Sequence, residues 1–157
     1  MLTLIRHGRR FTAIPGELSD PRCQVLLTLR HPHVPEVRDV LGWGDQRWLV
    51  LDDHSVIGAA TAPRLVGLCL ISAWCAVREA GYVCFPWAPE FAVTRERRIV
   101  VSNLGAVEAL RSPPQLTGSY LCLMTFLNSL FGDAAGDVLP GDGRERLCPE
   151  ELARCVL

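Results

Sequence analysis

Two short histidine-containing stretches have the residue types that bind metals. His31 and His33 flank a proline, and residues 52–54 read Asp-Asp-His. A zinc site needs Cys, His or carboxylate ligands at spacings that bring several of them together, and neither stretch has such partners. We therefore expect a plain loop at the two histidines, a solvated turn at residues 52–54, and no bound metal.

The cysteines favour reduced thiols over a disulfide framework. Their number is seven, which is odd, none forms a C-x-x-C pair, and four lie in or beside apolar runs. Cys84 is a candidate reactive thiol, but with no Lys or His beside it we expect an inert one. With no signal peptide at the N-terminus, the sequence favours a cytoplasmic or nuclear protein. The seven are Cys23, Cys69, Cys75, Cys84, Cys122, Cys148 and Cys155.

The basic residues are unusual because all 16 are Arg and none is Lys. A GC-rich genome explains this composition, and selection against ubiquitin acceptor sites is the alternative. Two arginine groups, at residues 6–10 and 95–98, suggest a basic patch. Nearby Glu96 and the lack of interleaved aromatic residues favour a solvated surface over a nucleic-acid groove. The net charge of −1 and the lack of a long apolar run predict no nucleic-acid or membrane partner.

The apolar and turn patterns predict a mixed α+β protein with its strands in two clusters. Strands are expected at 1–5, 10–14, 37–41, 47–51, 91–94 and 98–102. A short helix should begin after Ser19-Asp20-Pro21, and buried helices should cover 63–81 and 116–131. After Gly132 we expect a linker and a short final helix from about Pro149.

Several segments in this order resemble a protein kinase. Residues 29–35 (Leu-Arg-His-Pro-His-Val-Pro) resemble the segment that follows the regulatory helix of the kinase small lobe. The hairpin 37–51 resembles the one that leads into the hinge between the kinase lobes. Residues 63–83 and 88–94 resemble the helix and the loop around the catalytic residues, and 98–105 resemble the metal-binding turn.

The resemblance also implies that the catalytic residues are missing. Phosphoryl transfer in kinases needs a Lys, a partner Glu, a catalytic Asp, an Asn and a metal-binding Asp. In that order, the matching positions of this chain hold Pro15, Arg22, Pro86, Phe91 and Asn103. We therefore expect no catalysis, no cofactor and no bound ATP.

The fold that the resemblance implies is one kinase-like domain over residues 1–157. Its small lobe would be minimal and cover about residues 1–53, and its large lobe would cover about 54–157. Only 25 residues follow Gly132, so the large lobe would be truncated. A truncated lobe leaves apolar surface uncovered, and such surface usually marks an interaction site.

The resemblance thus favours a pseudokinase that binds and regulates another protein, as a scaffold or an allosteric partner. The expected partner is a signalling kinase or adaptor, or a second copy in a homodimer, and the composition fits a viral or bacterial effector. Candidate contact residues are Trp43, Trp48 and Phe131. The alternatives are an active nucleotide-dependent transferase that uses Asp52, Asp53 or Asn103, and an α+β structural subunit unrelated to kinases.

Overall fold

Nine short strands and three α-helices form over residues 2–131, the part of the chain that the computed structural model describes. The strands are β1 (Leu2–Arg6), β2 (Arg9–Pro15), β3 (Val37–Trp43), β4 (Gln46–Asp52), β5 (His54–Ile57), β6 (Tyr82–Phe85), β7 (Glu90–Thr94), β8 (Ile99–Asn103) and β9 (Ala106–Ala109). The helices are α1 (Pro21–Thr28), α2 (Pro63–Glu79) and α3 (Pro113–Phe131), and one 3-10 turn covers Ala59–Thr61. The mixed α+β class is confirmed. The final helix expected from about Pro149 lies outside the described residues.

The first four strands form one antiparallel sheet in the order β1-β2-β4-β3. Both predicted connections are tight turns. The β1–β2 turn uses His7 and Gly8 at φ of 51° and 72°, and the β3–β4 turn uses Gly44 at φ 61°. Two further sheets, β5-β7-β8 and β6-β9, are also antiparallel. The strands therefore do not form one continuous sheet.

Helix α1 packs on one face of the four-stranded sheet. The Asp20 side chain caps the helix by accepting a hydrogen bond from the Arg22 backbone N–H at 2.8 Å, as the Ser-Asp-Pro pattern predicts. A Cβ atom at Gly16 would lie 2.9 Å from Cys23 Sγ and 3.1 Å from Leu49 Cγ. Strand β2, α1 and β4 therefore approach one another closely at Gly16.

The prediction that α2 is a central buried helix is confirmed. Its buried residues are Val66, Gly67, Cys69, Leu70, Ile71, Ala73, Trp74 and Val77, whereas Leu65 in the first turn is 50% exposed. Gly81 follows the helix with φ 87°, a left-handed conformation that glycine adopts without strain. The expected start of α3 at residue 116 was three residues late. The Gln115 side chain accepts hydrogen bonds from the backbone N–H groups of Arg111 and Ser112, which stabilises the earlier start.

Three strands, β5, β6 and β9, were missing from the sequence prediction. Strand β5 begins where we expected a solvated turn, and β6 and β9 lie in segments for which we predicted no strand. Each has four residues, too few for a clear alternation of apolar and polar side chains. Pairing with partners distant in sequence fixes these strands: β5 pairs with β7, and β6 pairs with β9.

A buried chain of hydrogen bonds joins α2, α3 and β6. Trp74 Nε1 of α2 donates to Ser119 Oγ at 2.8 Å, and Ser119 Oγ in turn donates to the Cys84 carbonyl oxygen. Ser119 is fully buried. The four-stranded sheet and all three helices contribute apolar residues to the surrounding core. One hydroxyl thus satisfies two buried polar groups from two other elements.

We predict that Ser119→Ala lowers the free energy of unfolding by about 2–3 kcal/mol, because the Trp74 N–H and the Cys84 carbonyl both lose their partner away from water. Urea denaturation measures this change. The matched control is Ser129→Ala, an exposed α3 serine, which should change stability by less than about 0.5 kcal/mol. Equal effects of the two substitutions would contradict this role of the buried hydroxyl.

Candidate functional site

The segment expected to replace the metal-binding turn forms a closed loop between β8 and β9. Asn103 Oδ1 accepts a hydrogen bond from the Gly105 backbone N–H at 3.0 Å. Gly105 has φ 77°, and a Cβ atom on it would overlap the Phe85 carbonyl oxygen. The Asn103 side chain is therefore engaged within its own turn, and only glycine fits at Gly105.

Two more of the five kinase-like positions are filled by core residues. Phe91 is fully buried, and its ring lies 5.9 Å from the ring of Phe126, centroid to centroid. Pro86 is also fully buried, directly after β6. Neither side chain has a group that could transfer a proton or bind a metal. These two positions contribute packing.

The remaining two positions, Pro15 and Arg22, do not face each other. Side chains alternate along a strand, and Ile14 pairs with Leu49 on the sheet face that α1 covers. Pro15 is exposed and belongs to the opposite face, and Arg22 is exposed on α1. Ile14 rather than Pro15 is thus the residue of β2 that faces α1, because a shift of one residue reverses the side of the sheet.

The sheet face opposite α1 has an apolar groove of about 180 Å³. We call it the outer groove, and its lining residues are Leu2, Leu4, Ala13, Leu41, Gly42, Trp43 and Trp48. Trp43 is 70% exposed, Trp48 is half-buried, and the buried Ala13 lies between them and β1. The structure thus brings two of the three candidate contact residues into one apolar surface.

The third candidate, Phe131, lies elsewhere. It is half-buried at the end of α3, and its ring atom Cζ would lie 3.0 Å from a Cβ atom on Gly67 of α2. Phe131 therefore packs between two helices and is no part of the outer groove. Sequence reasoning missed Leu2, Leu4 and Leu41 as its companions. The sequence signal was incomplete: Thr3 separates Leu2 from Leu4 and Gly42 separates Leu41 from Trp43, but the other neighbours of Leu4 and Leu41 are apolar.

His31 is paired with a serine, but the geometry does not make that serine a nucleophile. Ser72 Oγ lies 3.1 Å from His31 Nε2, while His31 Nδ1 accepts a hydrogen bond from the His33 backbone N–H at 3.2 Å. Because Nδ1 accepts, the proton of the neutral ring is on Nε2, which donates to Ser72. His31 in this tautomer cannot remove a proton from Ser72.

Asp52, His54 and Cys84 are also engaged in structure, whereas Asp53 forms no salt bridge within the described residues. Asp52 accepts hydrogen bonds from Arg38, with 2.7 Å between Asp52 Oδ2 and Arg38 Nη2, and His54 Nδ1 lies 3.1 Å from the Asp52 carbonyl oxygen. Burial raises the pKa of the Cys84 thiol to about 12, which keeps it protonated and unreactive at neutral pH. Within residues 2–131, no three metal-ligating side chains gather at one place.

Comparison with known proteins gives no match: no protein-family model fits the chain, and no curated protein is significantly similar to it. Among the helices of the described residues, none has the length and apolar character needed to cross a membrane.

The burial of His31 generates a pH prediction. Burial and the neighbouring His33 lower the pKa of His31, against a smaller opposite effect of Glu79. The unfolded chain, with an ordinary pKa of about 6.5, therefore takes up this proton first as the pH falls. Stability from His31 is present above that pH and is lost below it.

We expect the melting temperature to fall between about pH 7.5 and 5.5, and to fall less in His31→Gln. The control is His7→Asn, which changes an exposed histidine at φ 51° to a residue that tolerates this conformation. An equal fall in the wild type and in His31→Gln would contradict the assignment.

Proposed function

We propose that this protein is a catalytically inactive, kinase-like module that binds and regulates another protein, a signalling kinase or adaptor. The observation that carries the proposal is the outer groove. It is an apolar surface beside the edge strands of the sheet, it includes the exposed Trp43, and no other part of residues 2–131 covers it.

The order of elements supports the kinase-like part of the proposal. The four-stranded sheet and α1 lie before Asp53, while the two smaller sheets, α2 and α3 lie after it. This agrees with the division into a small and a large lobe that the sequence resemblance implies. The hairpins β3–β4 and β7–β8 match the two hairpins that the sequence pattern predicts.

The five kinase-like positions support the inactive part. Pro86 and Phe91 are buried in the core, and Pro15 is exposed on the face away from α1. Arg22 has the wrong charge to pair with a lysine, and Asn103 already binds its own turn. Magnesium prefers carboxylate ligands, and none of the five residues has a carboxylate.

The chemistry of the outer groove supports protein binding. Tryptophan is enriched among the residues that dominate protein–protein affinity, since it buries a large area with few rotatable bonds. The groove also borders β1 and β3, the two edge strands of its sheet, whose outer backbone groups have no strand partner within the described residues. An extended segment of a partner can pair with such an edge while its apolar side chains fill the groove.

We predict that Trp43→Glu weakens partner binding or self-association by at least about thirtyfold, since a central tryptophan commonly contributes about 2 kcal/mol or more. Trp87→Glu is the matched control, because Trp87 is 68% exposed but lies outside the groove. Light scattering of the purified protein tests self-association. Affinity capture from native cells, followed by titration of the recovered partner, tests partner binding.

Circular dichroism should first establish that both variants fold. The interaction proposal fails if the wild-type protein stays monomeric at high concentration and captures no partner. It also fails if Trp43→Glu and Trp87→Glu bind equally well.

A further inference from the structure

A second concave surface lies where the chain passes from the four-stranded sheet to β5. It is a cleft of about 580 Å³ between the start of β2, the end of β4 and the β7–β8 turn. We call it the arginine cleft, because Arg9, Arg10, Arg38 and Arg95 line it. The fold thus brings together members of the two arginine groups that are about 90 residues apart in the sequence.

Three of these four guanidinium groups have no partner within the described residues. Arg38 is held by Asp52 and Glu36, at 2.7 and 3.2 Å, whereas Arg9, Arg10 and Arg95 form no side-chain hydrogen bond or salt bridge there. Like charges repel one another, so an anion bound among these three side chains would offset their mutual repulsion. The protein as a whole has a net charge of −1, so this positive cluster is a local feature.

The acidic residues of the cleft are mostly neutralised by other contacts. Asp52 is paired with Arg38, and Glu96 is paired with Arg98 at 2.7 Å. Asp53 is the only lining carboxylate without a salt bridge in the described residues. The unpaired charges that line the cleft are therefore three positive against one negative.

Backbone hydrogen bonds hold the turn that carries Arg95. In the turn between β7 and β8, the Arg97 N–H donates to the Thr94 carbonyl oxygen, and the Thr94 N–H donates to the Arg98 carbonyl oxygen, each at 2.9 Å. Arg9 and Arg10 lie on β2, whose register with β1 and β4 is also fixed. The backbones that carry Arg9, Arg10 and Arg95 thus belong to two anchored elements, and the half-buried Phe11 is an apolar residue of the same lining.

We propose that the arginine cleft binds a phosphate monoester. A guanidinium matches phosphate geometry with two parallel N–H donors. A phosphate monoester has a charge of about −1.5 to −2 near neutral pH, which complements three unpaired arginines in one lining better than the single charge of a carboxylate does. The cleft volume is in the range of about 300–1,000 Å³ typical of small-ligand sites, so a phosphorylated group fits while a nucleic-acid duplex does not.

The site is separate from the outer groove, so the two proposals can fail independently. The probes are phenyl phosphate, benzoate and inorganic phosphate, titrated by calorimetry into the whole protein at low ionic strength. We expect phenyl phosphate to bind in the millimolar range and benzoate to bind at least about tenfold more weakly, because it has one charge in place of two.

Substitutions of the arginines and of Asp53 should change the affinity for phenyl phosphate in opposite directions. Arg9→Gln, Arg10→Gln and Arg95→Gln should each weaken phenyl phosphate binding by about two- to fivefold, and Asp53→Asn should strengthen it by a similar factor. Arg64→Gln, an exposed arginine of α2 outside the cleft, should have no effect. Arg9, Arg10 and Arg95 are exposed and unpaired within the described residues, so we expect these variants to fold normally.

A phosphotyrosine pentapeptide and a phosphoserine pentapeptide then distinguish the source of the phosphate. Tighter binding than phenyl phosphate identifies a phosphorylated protein as the ligand, and equal binding identifies a small phosphate ester. The proposal is overturned if phenyl phosphate does not bind, or if the Arg10→Gln, Arg95→Gln and Arg64→Gln variants bind it equally. It is likewise overturned if benzoate binds as tightly as phenyl phosphate.

Discussion

The packing of α2, α3 and β6 against one another depends on the hydrogen bonds through Ser119. They fix α2, α3 and β6 at one point, and β6 leads directly into Pro86 and the contact with Gly105. That contact leaves no room for a side chain at Gly105, and the Gly105 N–H donates a hydrogen bond to Asn103 Oδ1 within the same turn. On the kinase-like reading that we propose, this turn stands where a kinase binds metal, and here its Asn103 side chain is engaged within the turn itself.

The sequence predicted the long elements well because their signals are local. The apolar run of α2, its Gly81 terminus and the Asp20 cap are each readable from a few neighbouring residues. Strands β5 and β9 are not readable in this way, since pairing with partners distant in sequence determines them. The side of β2 on which Pro15 lies also depends on tertiary structure, because only the position of α1 decides which face is buried.

The same distinction applies to the surfaces. Trp43 and Trp48 are recognisable as contact candidates from residue type and the hairpin pattern, but Leu2 and Leu4 join them only through the order β1-β2-β4-β3. Arg9 and Arg95 lie in separate sequence groups, and the fold alone makes them walls of one cleft. As proposed, the two surfaces would act by binding, through apolar burial in one and through charge in the other.

Magnesium-dependent ATP binding tests the central claim, an inactive kinase-like module, most directly. The melting temperature should be compared with ATP and Mg²⁺ and with ATP and a chelator, in Arg10→Gln so that the arginine cleft contributes less to both conditions. A ligand at about a hundred times its dissociation constant adds about 2.7 kcal/mol of stability, so a true site is readily detected. We predict no difference between the two conditions. A clear rise that requires Mg²⁺ would contradict the account and favour an active transferase.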